Sequence, residues 1–171
     1  MTIRLATEAD LPALTDIYNA AVTGTDATCD LEPRTLGERR DWWQAHLAPH
    51  YPVLVAEEEG AALGYASLSS WVNGAVYAHT AESSLYLAPG ARGRGLGTTL
   101  MRALLEEAAR VGHHVVIARI WAGNAASLAM CRRCGFETVG VQREVGRRRG
   151  AWEDCVLLQY LVPGQIGRGD V

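Results

Sequence analysis

The chain of 171 residues contains no lysine: all 16 of its basic side chains are arginine. That excludes Schiff-base chemistry and the phosphate loop that depends on a lysine. Cysteine is scarce. Cys29, Cys131, Cys134 and Cys155 are too few and too scattered for a disulfide scaffold. Cys131-x-x-Cys134 lacks the second ligand pair of a structural zinc site, so no metal is expected. No apolar run approaches the ~18 residues of a membrane span, and Met1 to Asp10 holds no apolar targeting segment. The basic excess of a nucleic-acid binder is missing too, because the formal net charge is −3. These absences lead us to expect a reduced, cytoplasmic protein without nucleic-acid or membrane partners. What is present is a globular composition, 49% hydrophobic and 20% charged. We expect one domain over residues 1–171, with a core from about 3 to 162 and a frayed tail at 163–171.

Local signals order the chain. Thr7 with Asp10, and Thr35 with Glu38, are capping pairs that open two helices. Leu11, Leu14, Ile17, Tyr18, Ala21 and Val22 keep helical spacing in the first. The polar segment from Thr23 to Arg34 reads as a loop long enough to be functional. Pro52 to Ala56 and Leu63 to Leu68 read as paired strands around Glu57 to Gly60, and Val76 to Leu87 as one long extended stretch. Leu96, Leu100, Leu104, Ala108 and Val111 draw an apolar stripe on a helix. His114 to Trp121 reads as a buried strand, and Asn124 to Cys134 as a helix closed by Gly135. Phe136 to Val141 and Trp152 to Val162 read as strands around an Arg147-Arg148-Arg149-Gly150 loop. The order β-α-α-β-β-β-α-β-α-β-β predicts a mixed α/β single sheet.

The most informative segment follows the long strand: Pro89, then Arg92-Gly93-Arg94-Gly95-Leu96-Gly97-Thr98, then the striped helix. Glycines let the backbone approach a ligand closely. A helix start offers unpaired N–H groups and a positive dipole end. With Arg92 and Arg94 added, the segment suits a pyrophosphate. The Gly-Lys-Ser/Thr phosphate loop is absent. Gly93, Gly95 and Gly97 are spaced by two, which breaks the G-x-G-x-x-G dinucleotide fingerprint.

Arg92-x-x-Gly95-x-Gly97 instead resembles the acetyl-CoA loop, R/Q-x-x-G-x-G/A, of the GNAT superfamily of N-acetyltransferases. Asn124-Ala125-Ala126-Ser127 followed by Gly135-Phe136 is similar to the second half of that fold. Glu32-Pro33, Tyr51 to Ala56, Gly64-Tyr65-Ala66, Thr80-Ala81-Glu82-Ser83 and Gly150 to Asp154 resemble its phosphinothricin and amino-acid N-acyltransferase branch over about Ile3 to Leu161. The resemblance implies a mostly antiparallel central sheet flanked by about four helices. It also implies a homodimer and acetyl-CoA as co-substrate, and the Trp42-Trp43 pair offers apolar surface for a dimer contact.

The resemblance further implies site residues. Glu82 of Thr-Ala-Glu-Ser is the general base that deprotonates the acceptor amine, because only the neutral amine attacks. Leu85, Tyr86 and Leu87 offer backbone groups to the pantetheine arm and thioester. Arg92, Gly93, Arg94, Gly95, Leu96, Gly97 and Thr98 hold the pyrophosphate, and Asn124 and Ser127 flank the arm, although Asn124 also suits a helix cap. Cys131 occupies the place of the leaving-group acid, where the family carries Tyr or His. A thiol is a weak donor, and a structural Cys131 is the competing reading. Gly74, Tyr77 and His79 fall in the acceptor pocket. Gly74 stands where the branch places an arginine that holds a substrate carboxylate. The expected acceptor is therefore the primary amine of a small molecule, with phosphinothricin or a related amino acid implied by the resemblance, but with amines lacking a carboxylate favoured by Gly74 unless Arg147, Arg148 or Arg149 reaches the pocket. The alternatives are a protein or peptide N-acetyltransferase and a non-catalytic acyl-CoA-binding module.

Overall fold

The computed structural model describes residues 1–164. Of the tail assigned to 163–171, Pro163 and Gly164 form a turn, and the rest lies outside the described residues. Seven strands make one sheet: β1 (Thr2–Leu5), β2 (Val53–Glu58), β3 (Ala61–Ser70), β4 (Thr80–Leu87), β5 (Val115–Trp121), β6 (Glu137–Arg148) and β7 (Ala151–Leu161). Helices α1 (Leu11–Gly24), α2 (Leu36–Ala45), α3 (Leu96–Arg110) and α4 (Ala125–Arg133) cover it. The sheet order is β1-β2-β3-β4-β5-β7-β6, and every neighbouring pair is antiparallel except β4 and β5. This is the mixed α/β architecture that the order of sequence signals predicts.

The strand period of two distributes the apolar residues of β2 to both faces. Val53 and Val55 join Leu11, Leu14, Ile17, Trp43 and Tyr65 under α1 and α2. Leu54 and Ala56 join Leu100, Leu104, Leu128 and Leu158 under α3 and α4. Both faces are covered, so β2 reads as a continuous apolar run. Each fully buried Leu contributes about 1.5–3 kcal/mol through loss of water contact. Both capping pairs form. Thr35 N donates to Glu38 Oε2 (2.8 Å) while Glu38 N donates to Thr35 Oγ1 (3.2 Å). Thr7 N donates to Asp10 Oδ2 (2.7 Å), closing a single 3-10 turn, Glu8–Asp10, ahead of α1.

Three expectations are corrected. Val76 to Leu87 is not one strand: Ala75–Tyr77 forms a 3-10 turn after Gly74, whose φ is +138°. The β3–β4 register explains it, because Ser70 pairs with Ala81, leaving residues 71–79 as the connection with no strand beside them. The three arginines do not form the turn: Arg147 and Arg148 end β6, and only Arg149-Gly150 turns, both at positive φ. Nor is Trp43 surface for assembly, because it is 93% buried against α1 and β3.

One glycine is fixed by packing. A Cβ on Gly146 of β6 would stand 2.5 Å from Trp121 Cη2. Trp121 cannot recede freely, since its Nε1 donates to Thr28 O (3.1 Å). Gly146→Ala is therefore expected to cost about 1–3 kcal/mol, the usual effect of forced overpacking. The denaturant midpoint measures this, and an unshifted midpoint means that Trp121 has room to move.

Candidate active site

The parallel pair β4–β5 is short. Thr80, Ala81 and Glu82 pair with Val115, Val116 and Ile117, and there the two strands part. β4 stays with β3 as far as Gly64↔Leu87, whereas β5 stays with β7 as far as Trp121↔Cys155. Ser83 Oγ donates to Ile117 O (3.1 Å) and closes the apex. Beyond it, alternate backbone N–H and C=O groups of Ser84 to Leu87 face the gap and not a strand. A wedge thus opens in the middle of the sheet.

Two connected spaces occupy the wedge. The outer cleft, of about 1110 Å³, is lined by Leu85, Tyr86, Leu87, Arg92, Gly93, Gly95, Gly97, Thr98, Asn124 and Ser127. The inner cavity, of about 380 Å³, is lined by Glu82, Ser69, Cys29, Arg119 and Cys131, and shares Leu85, Tyr86, Trp121, Asn124, Ser127 and Met130 with the cleft. The structure thus brings Glu82, Cys131 and ten of the twelve expected cofactor residues to one continuous space. The other two point elsewhere: Arg94 pairs with Glu58 (3.5 Å), and Leu96 is buried in the core. Gly74, Tyr77 and His79 line neither space. They lie in the connection before β4, where His79 Nδ1 contacts Gly112 O (2.9 Å) and its carbonyl accepts from His114 N and Val115 N.

The glycine loop is shaped for close approach. Gly93 and Gly95 have φ of +76° and +79°, and a Cβ on either would meet nothing within 4 Å. Gly95 caps α3, so the N–H groups at the start of a 15-residue helix open on the cleft. On the opposite wall Asn124 Oδ1 accepts from Ser127 N (3.1 Å), which makes Asn124 the cap of α4 as well as a cleft residue. These features fit a pyrophosphate-bearing cofactor: open space beside positive-φ glycines, with amide donors aimed into it.

Sequence reasoning missed Arg119. It sits on β5 within the run read as apolar, and its charge was the one signal available. Its Nε and Nη2 donate to Glu82 Oε1 (2.8 Å) and Oε2 (3.0 Å), and Glu82 in turn holds the guanidinium pKa above its usual value. The pair uses two of the roughly four acceptor sites of the Glu82 carboxylate and leaves the others for a ligand. Directly across the β3–β4 pairing, Ser69 is opposite Glu82. Ser69 Oγ lies 2.9 Å from His46 Nε2, while His46 Nδ1 lies 2.7 Å from Trp42 O. A carbonyl only accepts, so Nδ1 carries the proton. Burial pushes the His46 pKa down and keeps the ring neutral. Nε2 therefore accepts from Ser69, whose oxygen remains an acceptor beside Glu82.

Other groups surround this pair. The Cys131 thiol is pushed up to about 12 by burial and by neighbouring Cys134, so it stays protonated through the neutral range. Arg148 is buried, donating to Thr28 O (2.7 Å) and pairing with Asp26 (3.4 Å) and Glu153 (3.4 Å). It pins the loop that carries Ala27 and Cys29 over the cavity. Arg147 stacks near Trp152 and Arg149 pairs with Asp26, so none of the three arginines lines either space. Among the described residues no helix is long and apolar enough to cross a membrane, and no group of three or more His, Cys, Asp or Glu residues could hold a metal.

The sequence and the fold as a whole are matched by known proteins. The chain is 42% identical over 159 residues to an L-methionine sulfoximine/L-methionine sulfone acetyltransferase of Pseudomonas paraeruginosa, covering 92% of each chain. It superposes on a ribosomal-protein-alanine N-acetyltransferase from Brucella melitensis with a TM-score of 0.91 and 45% identity, over 94% of this chain and 99% of that one. A phosphinothricin acetyltransferase from Sinorhizobium meliloti, solved in complex with acetyl-CoA, gives a TM-score of 0.90 at 34% identity, over 94% and 88%. The fold and the cleft define an N-acetyltransferase. Residues 11–136 match the Acetyltransferase (GNAT) family, and the chain belongs to it.

Proposed function

We propose that this enzyme transfers an acetyl group from acetyl-CoA to the primary amine of a small amino acid, of the methionine sulfoximine or phosphinothricin type, by direct attack. The observation that carries the reading is the position of Glu82, at the apex of the wedge, in the small cavity that joins the glycine-loop cleft. Acetyl-CoA supplies the acetyl group as an activated thioester. The amides of Gly93 to Gly97 at the start of α3 would hold its pyrophosphate, with the Thr98 side chain beside them because the Thr98 N–H already donates to Gly95 O (3.0 Å), and the gap-facing backbone of Leu85 to Leu87 would pair with its arm. Glu82 accepts the ammonium proton, directly or through water, while Ser69 Oγ accepts a second amine hydrogen and orients the lone pair. Gap-facing amides of β4 stabilise the charge that develops on the carbonyl oxygen. Attack leaves the nitrogen cationic, and as the C–S bond breaks its second proton passes to the leaving thiolate, directly or through water, so no proton is required from the Cys131 thiol, which burial pushes up to about 12.

A cytoplasmic location belongs to this reading and is supported by four free cysteines. So does a homodimer. With Trp43 buried, the edge strand β6 offers one apolar surface for it, where Val139, Val141 and Val145 are exposed. Light scattering is expected to give twice the monomer mass at micromolar concentration, and a monomer mass rejects the dimer. The likeness to a ribosomal-protein-alanine acetyltransferase favours a second reading, transfer to a protein N-terminus. An acceptor panel followed by release of CoA thiol decides between them. L-Methionine sulfoximine, phosphinothricin, ordinary amino acids, polyamines and an alanine-initiated peptide belong in it. The reading expects the first two to lead. Turnover of the peptide alone establishes the second reading, and no turnover with cofactor bound leaves a non-catalytic module.

A further inference from the structure

The inner cavity lacks the arginine that the resemblance leads one to expect at position 74, which is Gly74. Among the described residues one guanidinium does line it, that of Arg119. The other arginines near the loop over the cavity are committed elsewhere. Arg148 serves Thr28 and Asp26, Arg149 serves Asp26, Arg34 serves Asp30 and Glu38, and Arg39 is buried over Trp42 and Tyr18.

Arg119 is only half committed. Its Nε and Nη2 donate to Glu82, and Nη1 donates to no group among the described residues. Five N–H donors less two leaves three, while Glu82 keeps about two acceptor sites. The Glu82 side chain is 19% exposed, so few other partners reach it, whereas Arg119 is 47% exposed and extends over Trp71, 5.6 Å from the ring centre. The cavity thus presents a fixed negative group beside a fixed positive one, each with capacity left. An α-amino acid in water is the complementary object. Its ammonium and carboxylate are joined through one carbon, with opposite signs to the pair. A simple amine matches the carboxylate only and meets Arg119 as a like charge.

We propose that Arg119 binds the α-carboxylate of the acceptor, so that the Arg119–Glu82 pair selects a zwitterionic amino acid and delivers its ammonium to the base. The proposal rests on the reading of Glu82 and of an amino-acid acceptor given above. It replaces the expectation, drawn from Gly74, that amines without a carboxylate are favoured. The guanidinium that recognises the carboxylate comes from β5, on the far side of the wedge from the segment where the resemblance places it.

The test compares L-methionine sulfoximine with the amine of the same side chain that lacks the carboxyl group. In the wild type the ratio of kcat/KM values should favour the amino acid. Arg119→Ala should lower that ratio by roughly 10–150-fold, the equivalent of one charge-assisted contact of about 1.5–3 kcal/mol. The change should fall on KM for the amino acid. Arg119→Lys should restore part of the ratio, because a point charge remains without the bidentate fork. If Arg119→Ala does not fold, Arg119→Gln carries the same comparison. A ratio that stays at the wild-type value while kcat falls for both acceptors would make Arg119 a holder of Glu82 and overturn the proposal. A wild type that prefers the carboxylate-free amine also overturns it. Failure of the Glu82 reading looks different: Glu82→Gln would then leave kcat intact while the Arg119 ratio still responds.

Discussion

Glu82→Gln is expected to lower kcat for an amino-acid acceptor by roughly 10²–10⁴-fold at neutral pH, the usual contribution of a positioned general base. Glutamine keeps the shape of the side chain and can still accept from Arg119, but it takes no proton. The sign of the pH dependence follows. The acceptor enters as an ammonium and must lose a proton before attack, so the mutant depends on the fraction of amine that is already neutral. That fraction rises tenfold per pH unit below the amine pKa, so the deficit should shrink as pH rises. An acceptor amine that is neutral at pH 7 should be nearly insensitive to the substitution. A mutant as active as wild type on the ammonium acceptor at pH 7 would assign deprotonation to water or another group.

The legible and illegible parts of the structure divide by sequence distance. Thr35 and Glu38 announced a helix start because both partners of the cap lie within one turn, and the bonds are there. The stripe from Leu96 to Ala108 became the buried face of α3 for the same local reason. The glycine loop was legible because positive φ, close approach and a following helix all leave marks in adjacent residues. The strand limits around Gly74 were not, because whether Ala75 to Tyr77 extends depends on a neighbouring strand that register withholds. The parting of β4 and β5 also escaped the sequence. It arises because β4 follows β3 while β5 follows β7, and neither choice is written in the strands themselves. Arg119 escaped because its partner lies 37 positions away. The Arg147 to Arg149 run was visible and suggested a clamp. Its central member instead went to a buried structural role, donating to Thr28 O and Asp26.

Gly95→Val should weaken acetyl-CoA binding by at least about tenfold, and about 150-fold if a full amide contact to the charged pyrophosphate is lost. Two causes act together. At φ +79° a β-branched residue is strained, so the loop shifts away from the geometry that aims its amides into the cleft. In addition, nothing of the protein lies within 4 Å of the new Cβ, so the isopropyl group projects into the space beside the start of α3 that the pyrophosphate would take. Strain alone costs roughly 1–2 kcal/mol of stability, so a melting curve must accompany the binding isotherm. Gly90→Ala supplies the control. Gly90 also has open space around its Cβ, lacks a positive φ and lines neither space, so its substitution should leave affinity unchanged. Gly95→Ala separates the two causes, since it keeps most of the strain and removes most of the bulk. If the alanine variant binds nearly as well as wild type and the valine variant does not, bulk in the pyrophosphate space dominates. If both fall equally, the aim of the amides dominates. A folded Gly95→Val that binds acetyl-CoA with unchanged affinity would place the pyrophosphate away from this loop, and the cleft would then have to hold its cofactor from the Asn124 wall alone.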